Sequence, residues 1–211
     1  MIFFYLLVFI LFYFILFYIF NIFIFIFILF LFSFQINFLY LGADVNSTNA
    51  TNATALHYSS FKENSSIVDL LIKYGSDINL QKSDGFTPLH CASSRGQEEI
   101  VKILIKNNCK INLKSKFGRT PLHEAAFMGH ANIIKILLEN NADIHLLDND
   151  GLSALHVASS VRSEDSIPSH YVQCVQVLLS YNIDINFMFN ENCTALHKGK
   201  NNYIVIVIII I

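Results

Sequence analysis

Four short motifs recur at a fixed distance. Thr54-Ala55-Leu56-His57, Thr87-Pro88-Leu89-His90, Thr120-Pro121-Leu122-His123 and Ser153-Ala154-Leu155-His156 start 33 residues apart, and Thr194-Ala195-Leu196-His197 follows after 41. Self-similarity on this scale constrains the fold more than any other feature. One such unit is too small to bury its own apolar face and gains a core only by stacking on its neighbours. The unit from Thr120 to Gly151 shows how its residues set its shape. Thr120 is a helix N-cap, its hydroxyl accepting from an orphan backbone N–H. Pro121 takes the first helical position, where a missing N–H costs nothing. Leu122, Ala125 and Ala126 give a small-residue face for close helix approach, and Gly129 ends the helix. His130 opens a second helix with Ile133, Ile134, Ile136, Leu137 and Leu138 as its apolar side. Asn140 to Asp143 break it, and Asp148-Asn149-Asp150-Gly151 carries the chemistry of a tight reversal.

A 33-residue period carrying T-P-L-H resembles the ankyrin repeat. The resemblance implies an all-α solenoid, each unit a helix–turn–helix with a β-hairpin loop to the next. It implies a domain over residues 36–199, with a partial repeat at 36–50, repeats at 51–83, 84–116, 117–149 and 150–190, and a partial repeat at 191–199. Residues 1–35 precede it as a hydrophobic low-complexity segment, and 200–211 follow as an apolar tail. The implied function is a protein–protein interaction module, an adaptor with no catalysis and no cofactor of its own. Thr87, Pro88, Leu89, His90, Thr120, Pro121, Leu122, His123, Leu155 and His156 become structural, each histidine bonding its own motif's hydroxyl and neighbouring backbone. The positions that the family leaves free for partners form two rows on a concave side. Ser83, Asp84, Phe86, Lys116, Phe117, Arg119, Asn149, Asp150 and Leu152 make the hairpin row. Ser94, Arg95, Phe127, Met128, Ser159 and Ser160 make the first-helix row, and the second helices form the back. Aromatic, Arg and Met side chains are the types enriched at interface cores, and the middle repeat holds most of them. The second and third exit turns depart from the family's usual glycine, which implies weaker capping there.

The rest of the chain bears on context. Ile2 to Phe32 is Phe, Ile, Leu or Tyr everywhere except Val8 and Asn21. An apolar run from Ile2 to Phe20 spans a bilayer core of about 30 Å as a helix. The same residues are encoded by A and T alone, so translated A/T-rich non-coding sequence reads equally well. Leu39 to Asn46 then aligns with Leu138 to His145, so the chain enters the repeats in mid-unit. The fourth unit's extra length falls at Ser160 to Ser169, a polar stretch with Pro168 that reads as a surface loop. Three consecutive sequons, at Asn46, Asn49 and Asn52, with two more at Asn64 and Asn192, read as chance triplets in an Asn-rich chain, since Thr54 is needed as a helix cap.

Charge is balanced, 14 basic against 16 acidic residues, which gives no reason to expect nucleic acid as a partner. Lys102, Lys106, Lys110, Lys114 and Lys116 read as a solvated outer face. The four cysteines contain no C-x-x-C pair, which fits a reducing, cytoplasmic or cytoplasm-facing setting. No phosphate-binding loop, nucleophile elbow or zinc-protease motif occurs, and no paired carboxylates stand in an apolar setting. His57, His90, His123, His156 and His197 fall one per repeat on helices about 8–10 Å apart, too far to share a metal bound at about 2 Å. Two other functions stay open: a membrane-anchored or channel-like ankyrin protein that uses Ile2 to Phe32, and a fragment of a larger ankyrin-containing enzyme.

Overall fold

The computed structural model describes residues 44–160, 169–181, 188–189 and 193–194. The chain divides into two units, Met1–Asp44 and Val45–Ile211, and the helices lie in the second. The expectations for 1–35, for 200–211 and for Ala195 to His197 fall outside the described residues. Among those described, no helix is long and apolar enough to cross a membrane.

Among the described residues, eight helices come in pairs: α1 (Ala55–Phe61) with α2 (Ser65–Lys73), α3 (Pro88–Arg95) with α4 (Glu98–Lys106), α5 (Pro121–Met128) with α6 (Ala131–Glu139), and α7 (Ala154–Ser159) with α8 (Ser169–Leu179). Each first helix packs on the next first helix, and each second helix on the next second helix, so the pairs stack in two layers. The core runs without a break from Leu56 and Val68 through Leu89, Leu104, Leu122 and Ile134 to Leu155 and Leu178. The two-residue strands β1 (Met188–Phe189) and β2 (Cys193–Thr194) pair antiparallel.

Local chemistry fixes the ends of each unit. Thr54, Thr87, Thr120 and Ser153 sit in extended backbone before their helices, and each forms a capping box with the histidine three residues on. Gly96 and Gly129 close α3 and α5 at φ +71° and +78°. The second and third exit turns lack the family's usual glycine but take the same path. The left-handed position is Gly75 (φ +86°) in the first, and Asn108 (+60°) and Asn141 (+66°) in the next two. Asparagine is the side chain that best tolerates this conformation, so all three turns keep the same path. Ser169, expected in the polar stretch, already belongs to α8, and residues 161–168 of that stretch lie outside the described residues.

The connecting loops reverse as hairpins but are too short to form strands. In each, the backbone closes twice, as in Lys82 N–H to Phe86 O at 2.9 Å and Gly85 N–H to Lys82 O at 2.8 Å. Adjacent loops are joined by Ser83 N–H to Thr51 O, Lys116 N–H to Asp84 O and Asn149 N–H to Phe117 O, at 2.8–3.0 Å. This last bond depends on Gly118: a Cβ there would stand 2.5 Å from the Asn149 backbone nitrogen.

One slot in the first helices departs from good packing chemistry. Ser60, Ser93 and Ser159 occupy the position that is Ala126 in the third unit, and their buried hydroxyls have no hydrogen-bond partner among the described residues. A buried unpaired hydroxyl is costly. Ser93→Ala is therefore expected to raise the urea midpoint, by about 1 kcal/mol in unfolding free energy. A lower midpoint would mean that the hydroxyl is bonded.

Candidate functional site

The buried histidines link the units. Each Nδ1 faces the hydroxyl of its own motif, at 2.9 Å from Thr54, 2.8 Å from Thr87 and Thr120, and 2.7 Å from Ser153. The backbone N–H of that Thr or Ser also points at Nδ1, so Nδ1 is the acceptor. The opposite nitrogen donates to a carbonyl 29 residues on: His57 Nε2 to Phe86 O, His90 to Arg119 O, and His123 to Leu152 O, at 3.0–3.1 Å. These imidazoles are neutral Nε2–H tautomers, because a carbonyl can only accept. Burial lowers the pKa of all three, and brings His90 and His123 down to about 4 despite the carbonyl bonds that oppose it. With both nitrogens engaged, they clamp one unit to the next.

The exposed surface is uneven. Phe117 is 60% exposed, Phe127 43% and Met128 39%, and all three belong to the third unit. The Arg119 guanidinium lies 4.9 Å over the Phe127 ring. Beneath it, Glu124 and Asp148 are only 5% and 7% exposed. Arg119 Nη1 is 3.9 Å from Glu124 Oε1, and its Nε is 3.7 Å from Asp148 Oδ2. Burial raises the Glu124 pKa and the guanidinium opposes it. Across the molecule, the exposed face of α6 is polar, with Lys135 paired to Glu139 at 3.9 Å.

A family model described as ankyrin repeats (3 copies) matches residues 32–115 and 108–188. The chain belongs to the ankyrin-repeat family. Ankyrin repeats are in general protein–protein interaction modules, and the family is typically non-catalytic. No curated protein matches the chain.

Within the ankyrin framework, the structure sorts the sequence-derived surface residues. Leu152 is a correction: it is 8% exposed and packs in the core, its carbonyl held by His123. The same slot is half-buried at Phe86 and Arg119 and fully buried here. Ser159 is likewise buried, and Ser160 uses its hydroxyl on the Val157 carbonyl. Phe86 is half-buried, stacked on His90 at 5.2 Å beneath the Lys82 ammonium at 4.9 Å. Asp84 accepts from the Phe86 N–H and pairs with Lys82. Ser94 gives its carbonyl to His130, and Arg95 covers the Phe61 ring at 3.8 Å. Ser83, Lys116, Asn149 and Asp150 are exposed on the loops, and the Asn149 carboxamide donates to Lys116 O at 2.8 Å. The loop row is thus partly consumed in joining one repeat to the next.

Sequence reasoning did not single out Glu124 and Asp148, two carboxylates that the structure buries beside Arg119. A signal was available. Aligned at the repeat period, Glu124 falls in the slot of Tyr58, Cys91 and Val157, and Asp148 in that of Lys82 and Ser115. A carboxylate among those residues marks the third unit as locally different.

Proposed function

We propose that this chain is a protein-binding adaptor with no catalysis of its own. In this reading the partner lies on the concave side, across the exposed ends of the first helices and the loop tips. The observation that carries it is the presence in one repeat of Phe117, Phe127 and Met128 as large exposed apolar side chains, with Arg119 over the Phe127 ring. Interface hot spots are few, central and rich in aromatic and Arg side chains, and this group has that composition. Cys91, Cys109 and Cys174 are free and buried, and burial pushes their pKa to about 12, 11 and 12.

The test is an affinity comparison on a partner recovered with the full chain. Phe127→Ala or Phe117→Ala is expected to cost about 2 kcal/mol or more of binding free energy. Lys135→Ala, on the exposed back of α6, is expected to cost less than about 0.5 kcal/mol. Loss of binding with Lys135→Ala while both phenylalanine variants bind normally would move the site to the second-helix layer.

A further inference from the structure

α1 and α3 pack side by side, and a pocket of about 200 Å³ opens between them, lined by Ala53, Tyr58 and Phe61 of the first unit and Cys91 of the second. That volume falls below the range of about 300–1,000 Å³ for small-ligand sites and suits one protruding side chain. Two polar groups beside it have unused donors. Tyr58 is exposed; its Oη accepts from the Asn49 carboxamide at 2.8 Å, and its own O–H has no acceptor among the described residues. The exposed Arg95 guanidinium lies 3.8 Å over the Phe61 ring and has no ion-pair partner among the described residues. The other charges around it are already committed. Lys82, at the pocket's edge, pairs with Asp84, and Lys62 and Glu63 are exposed neighbours of opposite sign. Glu98 accepts from Asn132 at 2.7 Å, and with Glu99 it occupies the first turn of α4, where the helix dipole favours acids. Arg119, in contrast, has two carboxylates beside it.

We infer that this groove takes a protein segment that places an aromatic or aliphatic side chain in the pocket and an Asp or Glu carboxylate on Arg95. The Phe61 ring holds the guanidinium in place, so little freedom is lost when its donor fork takes a carboxylate. Phosphate recognition draws on clusters of arginines, and one guanidinium suits a carboxylate. The Tyr58 O–H supplies a further donor for a carbonyl of the same segment. The inference rests on the adaptor reading and adds a subsite of stated chemistry, in different repeats from Phe127. A basic segment would set its cation against Arg95. A purely apolar one would fill the pocket and draw the guanidinium away from water with no acceptor in return.

Selection of random displayed peptides on the full chain, followed by rebinding to Arg95→Gln and Phe127→Ala, tests this. The peptides lost on Arg95→Gln are expected to carry Asp or Glu close in sequence to an aromatic or aliphatic residue. A synthetic copy, amidated at its C-terminus and with that acid changed to its amide, is expected to bind about tenfold more weakly. Higher salt is expected to weaken the parent peptide, and Arg95→Lys to lose less than Arg95→Gln. Arg95 is exposed, so the variants are expected to keep the wild-type thermal midpoint, and the peptide-side change keeps the test valid if they do not. Arg95-dependent peptides that are basic or uncharged, or that bind unchanged once the acid is removed, overturn the inference. Peptides that depend on Phe127 and ignore Arg95→Gln also overturn it and leave the binding face of the third repeat standing. A selection with no peptide sensitive to either change overturns both.

Discussion

Leu122→Ala lowers the unfolding free energy by about 2–5 kcal/mol, the range for emptying a packed leucine site. The side chain is 2% exposed and belongs to the continuous core. It sits in α5, which packs on α3, α6 and α7, so the cavity touches three units instead of one. Stability in a stacked array is a sum of unit and nearest-neighbour terms, and a loss at a central unit weakens the interfaces on both sides. Against a typical margin of 5–15 kcal/mol, this is a large share. Urea denaturation of wild type and variant measures it. An unchanged midpoint would contradict the placement of Leu122 between units.

Acid is expected to destabilise the repeats before ordinary carboxylates titrate. His90 and His123 are held neutral in the fold, with pKa about 4 against 6.5 when exposed. Above pH 6.5 both states are neutral and stability is independent of these groups. Between pH 6.5 and about 4 the unfolded chain takes up protons that the folded chain refuses, so stability falls with pH. At pH 5 this amounts to about 2 kcal/mol for each histidine, on the order of 4 kcal/mol together. His57 adds in the same direction. Below pH 4 the folded imidazoles charge as well, and Nδ1 stops accepting from the Thr hydroxyl and N–H. Urea midpoints measured between pH 7.5 and 5 should fall steadily. A flat profile over that window would show that the histidines are not buried neutral.

Most of the fold was legible because it is local and repeated. Thr-Pro-Leu-His sets a cap, a helix start, a core leucine and a clamp within four residues, and the 33-residue spacing repeats them in register. Gly96 and Gly129 end helices for reasons contained in their own backbones. The two asparagines of the exit turns were harder to read, since only their left-handed geometry, φ +60° and +66°, shows that they replace glycine.

The candidate site was less legible. Phe117, Phe127 and Met128 are exposed, as their slots suggested, but Leu152 and Ser159 in the same rows are buried. Slot position gives the direction in which the backbone points and leaves open what covers the side chain. Glu124 and Asp148 are the clearest case, since Arg119 reaches both from a third position.

The sequence by itself determined the repeat unit, its period, its caps and the residues of its core, because each rests on interactions within a few residues of chain. Only the tertiary structure decided which carbonyl each histidine holds, which surface residues the neighbouring repeat consumes, and which buried carboxylates Arg119 reaches. Those features join residues about 30 positions apart, and their energies depend on distances and burial that exist only once the repeats are stacked.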